Sequence, residues 1–274
     1  MEMLLAEACY HGFTAEVQEL LATHPGFDIN LPVAHKDKTA LHVASRAGRS
    51  AVVKLLLAHP AINVNVLSSE GDTPFALSCK YRKLPIVQLL LKDPRVDVTL
   101  ADYLECSPFW WSAICGCEVM EWLIASGRGL GDLNKKGKFL SFEDTALEIA
   151  RRLGFKVTLL ERFMANPTQT RHEVRMKLGV LDELAAEVFA LMVFLCEGLL
   201  QLRPAISTAA TSNPEGLGAI RFFTIAKRLP MELQMVLCHY VIGSTRQNIL
   251  SKDSEAAFKS LAGILLCLDP SASH

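Results

Sequence analysis

Net charge is the first thing this chain lacks. Its 28 lysines and arginines nearly balance 29 acidic residues, for a formal charge of −1 at neutral pH. Proteins that coat a nucleic-acid backbone carry a basic excess, so no nucleic-acid partner is expected for the chain as a whole. An uninterrupted apolar run is missing too. The most hydrophobic stretch, Leu184 to Leu202, is broken by Glu187 and Glu197, and is expected to be a buried helix and not a membrane span. Met1-Glu-Met-Leu-Leu-Ala-Glu7 places acids where a secretory signal places basic residues, so no export signal is expected.

The motifs of common catalytic sites are absent as well. There is no P-loop, no G-x-S-x-G and no H-E-x-x-H. Gly127-Arg-Gly-Leu-Gly131 is glycine-rich but does not follow a strand-like run, which argues against a dinucleotide site. Cys238 and His239 are adjacent, and neighbours on a helix point apart, so they do not read as a nucleophile and its base. The eight cysteines, Cys9, Cys79, Cys106, Cys115, Cys117, Cys196, Cys238 and Cys267, include no C-x-x-C pair. Cys9 and Cys79 fall at small-residue positions inside apolar segments, where a thiol acts as a small hydrophobe. A reducing compartment, cytoplasm or nucleus, is expected. Cys106, Cys115 and Cys117 as a metal site is the alternative, but they lack zinc-ligand spacing and a paired histidine. Catalytic, cofactor and metal sites are all expected to be none.

What is present is repetition. Thr39-Ala-Leu-His-Val-Ala-Ser-Arg-Ala-Gly48 starts on a hydroxyl residue suited to a helix N-cap and ends on a glycine suited to a C-cap. Ser50 to Leu57 follows, with Val52, Val53, Leu55, Leu56 and Leu57 too widely spread for one face of a lone surface helix. A helix hairpin needing a neighbour on both sides fits this pattern. The step from Thr39 to Thr73 recurs from Thr73 to Ser107, at Thr73-Pro-Phe-Ala-Leu-Ser-Cys79 and Ser107-Pro-Phe-Trp-Trp-Ser-Ala113. Ile86 to Leu91 and Val119 to Ile124 supply the second helices. Two degenerate copies flank these three: Leu4 to Asn30, with Gly12 and Val17 to Leu21, and Thr145 to Gly154, followed by Val157 to Leu160.

The T-x-L-H-x-A signature at this period resembles the ankyrin repeat. The resemblance implies an all-α fold: a solenoid of about five helix-hairpin repeats over residues 1–165, then a C-terminal helical bundle or cap over 166–274. It implies that Thr39 and His42 tie the first turn of their helix by hydrogen bonds. It places Asn63-Val-Asn65 and Asp97-Val-Thr99 at exits into the β-turn fingers. Three departures stand out. Arg82 occupies the place of a helix-ending glycine, so either the helix extends or a strained backbone is tolerated. Trp110 takes the histidine position, with Trp111 beside it, and both are expected to pack between repeats. The step from Ser107 to Thr145 is long, so an insertion is expected within Asn134 to Ser141.

After Phe163 the period is lost. Asn166-Pro-Thr-Gln-Thr170 reads as a turn and cap, His172 to Leu178 as a short helix stopped by Gly179, and Leu181 to Leu202 as a long helix. On that helix Glu183, Glu187, Glu197 and Gln201 share one narrow stripe, with Phe194 intruding, to be covered by a loop or offered to a partner. A loop is expected at 203–216, with helices at about Leu217–Leu229, Met231–Val241 and from Ser254 to Leu268.

By the resemblance, the function is an intracellular protein–protein interaction module or adaptor without catalysis. Its unidentified protein partner would lie in a groove of finger tips and inner-helix faces. The candidate contacts are His35, Lys36, Ser69, Glu70, Tyr103 and Leu104 on fingers, and Ser45, Arg46, Lys80, Tyr81 and Ile114 on inner helices. The alternative partner is a ubiquitin-ligase adaptor. Leu229-Pro-Met-Glu-Leu-Gln-Met-Val-Leu237, with Phe258 and Leu261 downstream, resembles an F-box, although its register shifts after Leu233 and the P-x-D-L middle is missing.

Overall fold

The computed structural model describes residues 1–196, 223, 224, 226, 228–242, 254, 257 and 258. The chain forms two compact units, Met1–Val174 and Arg175–His274.

The first unit is a stack of helix hairpins. They are α1 (Glu2–His11) with α2 (Thr14–Thr23), α3 (Ala40–Ala47) with α4 (Ser50–Leu57), and α5 (Pro74–Lys80) with α6 (Leu84–Lys92). Then come α7 (Pro108–Cys115) with α8 (Cys117–Ser126), and α9 (Ala146–Arg152) with α10 (Thr158–Ala165). Helices of two or three turns do not hold in water alone, so packing must supply their stability. It does so along two rows. The inner helices pack in the order α1, α3, α5, α7, α9, and the outer helices α2, α4, α6, α8 pack beside one another. Leu41, Val52, Leu56, Phe75, Leu77, Ile86, Leu90, Leu123 and Ile124 are all fully buried between them.

A hydroxyl residue opens the inner helices of the last four hairpins. Thr73 Oγ1 accepts the Ala76 N–H at 3.0 Å, and Ser107 Oγ accepts the Trp110 N–H at 3.1 Å. Thr145 and Glu148 form a reciprocal capping box: Thr145 Oγ1 accepts the Glu148 N–H at 3.3 Å, and Glu148 Oε2 accepts the Thr145 N–H at 2.8 Å. At the far end of α5, Arg82 has φ 55°, the left-handed region that Gly12, Gly48 and Gly154 occupy in the first, second and fifth hairpins. Of the two readings of Arg82, the strained backbone is the one realised, at about 1 kcal/mol.

The first four hairpins each leave through the same small turn. The side-chain oxygens of Asp28, Asn63, Asp97 and Asp132 accept the N–H two residues on, at Asn30, Asn65, Thr99 and Asn134. Asn30 and Asn65 then reach the following repeat. Asn30 Nδ2 donates to the Ala61 carbonyl, and its Oδ1 accepts the Asn63 N–H at 2.7 Å; Asn65 does the same with Arg95 and Asp97.

The first and fourth fingers are two-stranded. β1 (Pro32–Ala34) pairs with β2 (Lys38–Thr39), and β3 (Gly137–Phe139) pairs with β4 (Phe142–Asp144), both antiparallel. Leu140 and Ser141 at the second tip have φ 49° and 68°, the pair of positive values that a two-residue hairpin demands. The insertion expected between 134 and 141 is therefore a lengthened finger. Asn134 belongs not to it but to the recurring exit turn.

Helix α11 (Pro167–Leu178) follows. It starts before His172, because Asn166 Oδ1 caps the Gln169 N–H at 3.1 Å and Pro167 occupies the first helical position. Gly179, at φ 72°, closes it. In the second unit α12 (Val180–Cys196) packs on α13 (Met231–Ile242). Phe189, Met192, Ala226 and Cys238 form the core, and Phe258 packs against it. Glu183 and Glu187 are exposed, as the stripe requires. Phe194 is half-buried, its ring 5.8 Å from that of Phe258. Glu197, Gln201, the expected loop at 203–216 and most of the helices expected at Leu217–Leu229 and Ser254–Leu268 lie outside the described residues.

Candidate partner-binding surface

The fingers and inner helices are joined by two kinds of bond. The first ties an inner helix to the finger of the next repeat. His42 Nδ1 accepts the Thr39 N–H at 3.1 Å and lies 2.8 Å from Thr39 Oγ1. With Nδ1 accepting, the proton belongs on Nε2, which donates to the Asp72 carbonyl at 3.0 Å. This arrangement needs a neutral ring. Burial holds the imidazole down, to a pKa of about 4, against the opposing effect of the Asp72 bond. Trp110 stands at the equivalent place in α7. Its indole Nε1 donates to the Asp144 carbonyl at 2.9 Å, which is the same tie made with a different ring. Trp111 Nε1 donates to Asp102 Oδ2 at 3.0 Å. Both tryptophans are buried, edge-on to Phe139 of the fourth finger.

The second kind of bond links finger to finger. Ser69 N–H donates to the Lys36 carbonyl, Tyr103 N–H to the Glu70 carbonyl, and Lys138 N–H to the Leu104 carbonyl. Gly71 permits the middle contact, since a Cβ there would lie 2.6 Å from the Tyr103 nitrogen. The result is one continuous edge of tips. On it His35, Lys36 and Ser69 are exposed. Glu70 is gripped by Lys36 and, at 3.0 Å, by Lys38, and the Lys36 ammonium above all pushes its carboxyl down to about 2. Tyr103 and Leu104 are exposed at 68% and 45%, and Leu140 and Phe142 of the neighbouring finger at 64% and 41%. Leu104, Leu140 and Phe142 line one shallow depression with Lys138 and Glu143. Leu140 and Phe142 were not among the sequence candidates, although Phe139-Leu-Ser-Phe142 carries three large apolar residues at the end of the expected insertion.

Of the inner-helix candidates, Arg46 and Tyr81 are exposed, with the guanidinium 4.8 Å from the ring centre. Lys80 Nζ lies 4.3 Å from the Trp111 ring centre and 3.6 Å from Asp72 Oδ1. Burial raises the Asp72 carboxyl, and the Lys80 charge offsets part of that. Ile114 is half-buried. Ser45 must be struck from the surface. It is fully buried in α3, which packs against α1 and α5, and its hydroxyl has no hydrogen-bond partner.

Residues 5–102 match the family model of ankyrin repeats, in three copies. This stretch of the chain is an array of ankyrin repeats. No curated protein matches the chain. The matched residues cover the first three hairpins, and α7 to α10 continue their geometry with Ser107 and Thr145 as caps. Ankyrin repeats are a protein–protein interaction module and bind protein partners. As a family they are not catalytic. Burial pushes Cys9 and Cys106 up to about 12 and Cys238 to about 11, far from a reactive thiolate. Cys115 Sγ donates to the Lys80 carbonyl at 3.2 Å and Cys106 Sγ to the Leu104 carbonyl at 3.6 Å, so both point at backbone. Among the described residues no helix is long and apolar enough to cross a membrane.

Proposed function

We propose that the ankyrin array is an adaptor that holds a partner protein along its finger edge. Tyr103, Leu104, Leu140 and Phe142 are the anchors. The observation that carries this reading is the grouping of four large apolar side chains, all exposed, on two fingers joined by a backbone hydrogen bond. Aromatic and aliphatic anchors inside a polar rim are the usual energetic centre of an interface. The rim here comprises Glu105, Lys135, Lys138 and Glu143, with His35, Lys36, Ser69 and Glu70 further along the tips. Arg46, Lys80, Tyr81 and Ile114 are the inner-helix contacts of the same partner. Affinity capture with the full-length chain, followed by mass spectrometry, tests this. Tyr103→Ala together with Leu140→Ala should weaken capture by about tenfold or more, given about 1 kcal/mol or more per anchor, without changing the melting temperature. Undiminished capture would reject the finger edge.

A second reading, a ubiquitin-ligase adaptor acting through the F-box-like segment, is favoured by one observation. Met231, Leu233, Val236 and Tyr240 of α13 are exposed. Leu233→Glu should abolish co-purification of a Skp-type adaptor, and no such adaptor with the parent chain would remove this reading. All described cysteines are free thiols, which supports a reducing compartment.

A further inference from the structure

The hairpin turns of the first four repeats carry cations that no carboxylate among the described residues pairs with. Arg49 precedes α4, and its side chain lies across the turn of the first repeat. Its Nε donates to the Tyr10 carbonyl at 2.8 Å, and a Cβ at Gly12 would stand 2.9 Å from its Cδ. Lys83 holds the matching place before α6 and covers Gly48 in the same manner. Arg82 shares its turn with Lys83 but reaches the other way, and its guanidinium lies on Gly116, at the turn of the fourth repeat. Arg46, in the last turn of α3, adds the guanidinium over Tyr81. Four cations from two short stretches of chain thus run in single file across four successive turns. Tyr10 and Tyr81 are exposed among them.

Among the described residues none of these four cations forms an ion pair with a carboxylate. Glu7 lines the same cleft as Arg46 without pairing to it. Arg82 is the most telling of the four. At φ 55° its backbone would be unstrained as glycine, so the side chain opposes the fold twice, through conformation and through like-charge repulsion. A strained residue whose side chain satisfies nothing nearby points to something outside the chain.

We propose that this row of turns binds an acidic segment of a partner protein in extended conformation. Arg46, Arg49, Arg82 and Lys83 would pair with its carboxylates, and arginine suits that role because its planar fork meets a carboxylate with two hydrogen bonds. The spacing agrees. Acids at every third residue of an extended chain lie about 10 Å apart, and packed helices lie about 8–10 Å apart. A polypeptide is favoured over a nucleic acid because the row is one cation wide and the chain's formal charge is −1, too little to draw a polyanion. Arg46 is shared with the contacts proposed for the finger-edge partner, but Arg49, Arg82 and Lys83 belong to this row alone, so their variants test it independently of the finger edge.

The probe is a fluorescein-labelled Glu-Ser-Gly repeat peptide, followed by anisotropy with the full chain at low and high salt. Binding should be saturable and should weaken as salt rises. Arg82→Gly should weaken it about fivefold, as expected for loss of one exposed pair, while the melting temperature holds or rises. Arg46→Gln combined with Lys83→Gln should weaken it further. Lys54→Gln, an exposed lysine on α4, should change nothing. No salt-sensitive binding would overturn the proposal, as would an equal loss in Lys54→Gln. Tighter capture of oligouridylate or of phosphatidylserine vesicles through the same four residues would overturn it too.

Discussion

The second and fourth repeats solve one problem with different chemistry. Each must fasten its inner helix to the carbonyl just before the next helix. His42 does so with an imidazole N–H to Asp72, and Trp110 with an indole N–H to Asp144. The third repeat has Ala76 at this place, and Asp102 of its following finger is held instead by Trp111. The position therefore accepts a ring N–H that reaches across the interface, and the histidine of the family signature is one of two rings that supply it in this chain. The two differ in a way that matters. Indole has no titratable nitrogen, while imidazole works only when neutral.

Deleting the rings breaks the comparison most severely. Trp110→Ala should cost about 3–5 kcal/mol, because it empties a fully packed site and leaves the Asp144 carbonyl unmet. Trp110→Phe should cost only about 1–2 kcal/mol, the share of the hydrogen bond. Urea unfolding measures both, and a phenylalanine variant as stable as the parent would show that the indole bond contributes nothing. Acid should separate the two repeats next. His42 titrates at about 4 when folded, below its ordinary value of 6.5, so the unfolded chain takes up the proton first. Stability from this site is complete above pH 6.5 and is lost as pH falls toward 4, by up to about 3 kcal/mol. His42→Gln should flatten the pH dependence of unfolding in that window, and an unchanged slope would show that the ring is not the cause. The smallest effect makes repeat two resemble repeat four at one further place. Ser45 corresponds to Ala113, and its hydroxyl is buried without a partner. Ser45→Ala should therefore leave stability within about 1 kcal/mol or raise it, as read from the melting temperature; a clear loss would reveal a bond that the structure does not contain.

Much of the first unit was legible because its signals are local. A hydroxyl three residues before an unmet N–H caps a helix whatever lies further away, so Thr73, Ser107 and Thr145 could be placed from spacing alone. The Asx turns at Asp28, Asn63 and Asp97 are local for the same reason. The parallel turn at Asp132 was hidden because the lengthened finger obscured the period, and Asn134 was assigned to the insertion. The candidate surface was less legible. Tyr103 and Leu104 are exposed as expected, but Leu140 and Phe142 join them only because the fourth finger bonds to the third. Ser45 reads as a groove residue by position and is buried, since α3 is covered by α1 on one side and α5 on the other. Beyond the last hairpin the expected helix at His172 begins earlier, because Asn166 and Pro167 together make a helix start that reads equally well as a turn.

The sequence by itself determined the hairpins, their caps and their order, because each rests on chemistry within a few residues along the chain. Only the tertiary structure decided which side chains meet a partner. Exposure, the joining of finger to finger, and the single file of Arg49, Lys83, Arg82 and Arg46 depend on residues a full repeat apart, which are neighbours only once the hairpins have stacked.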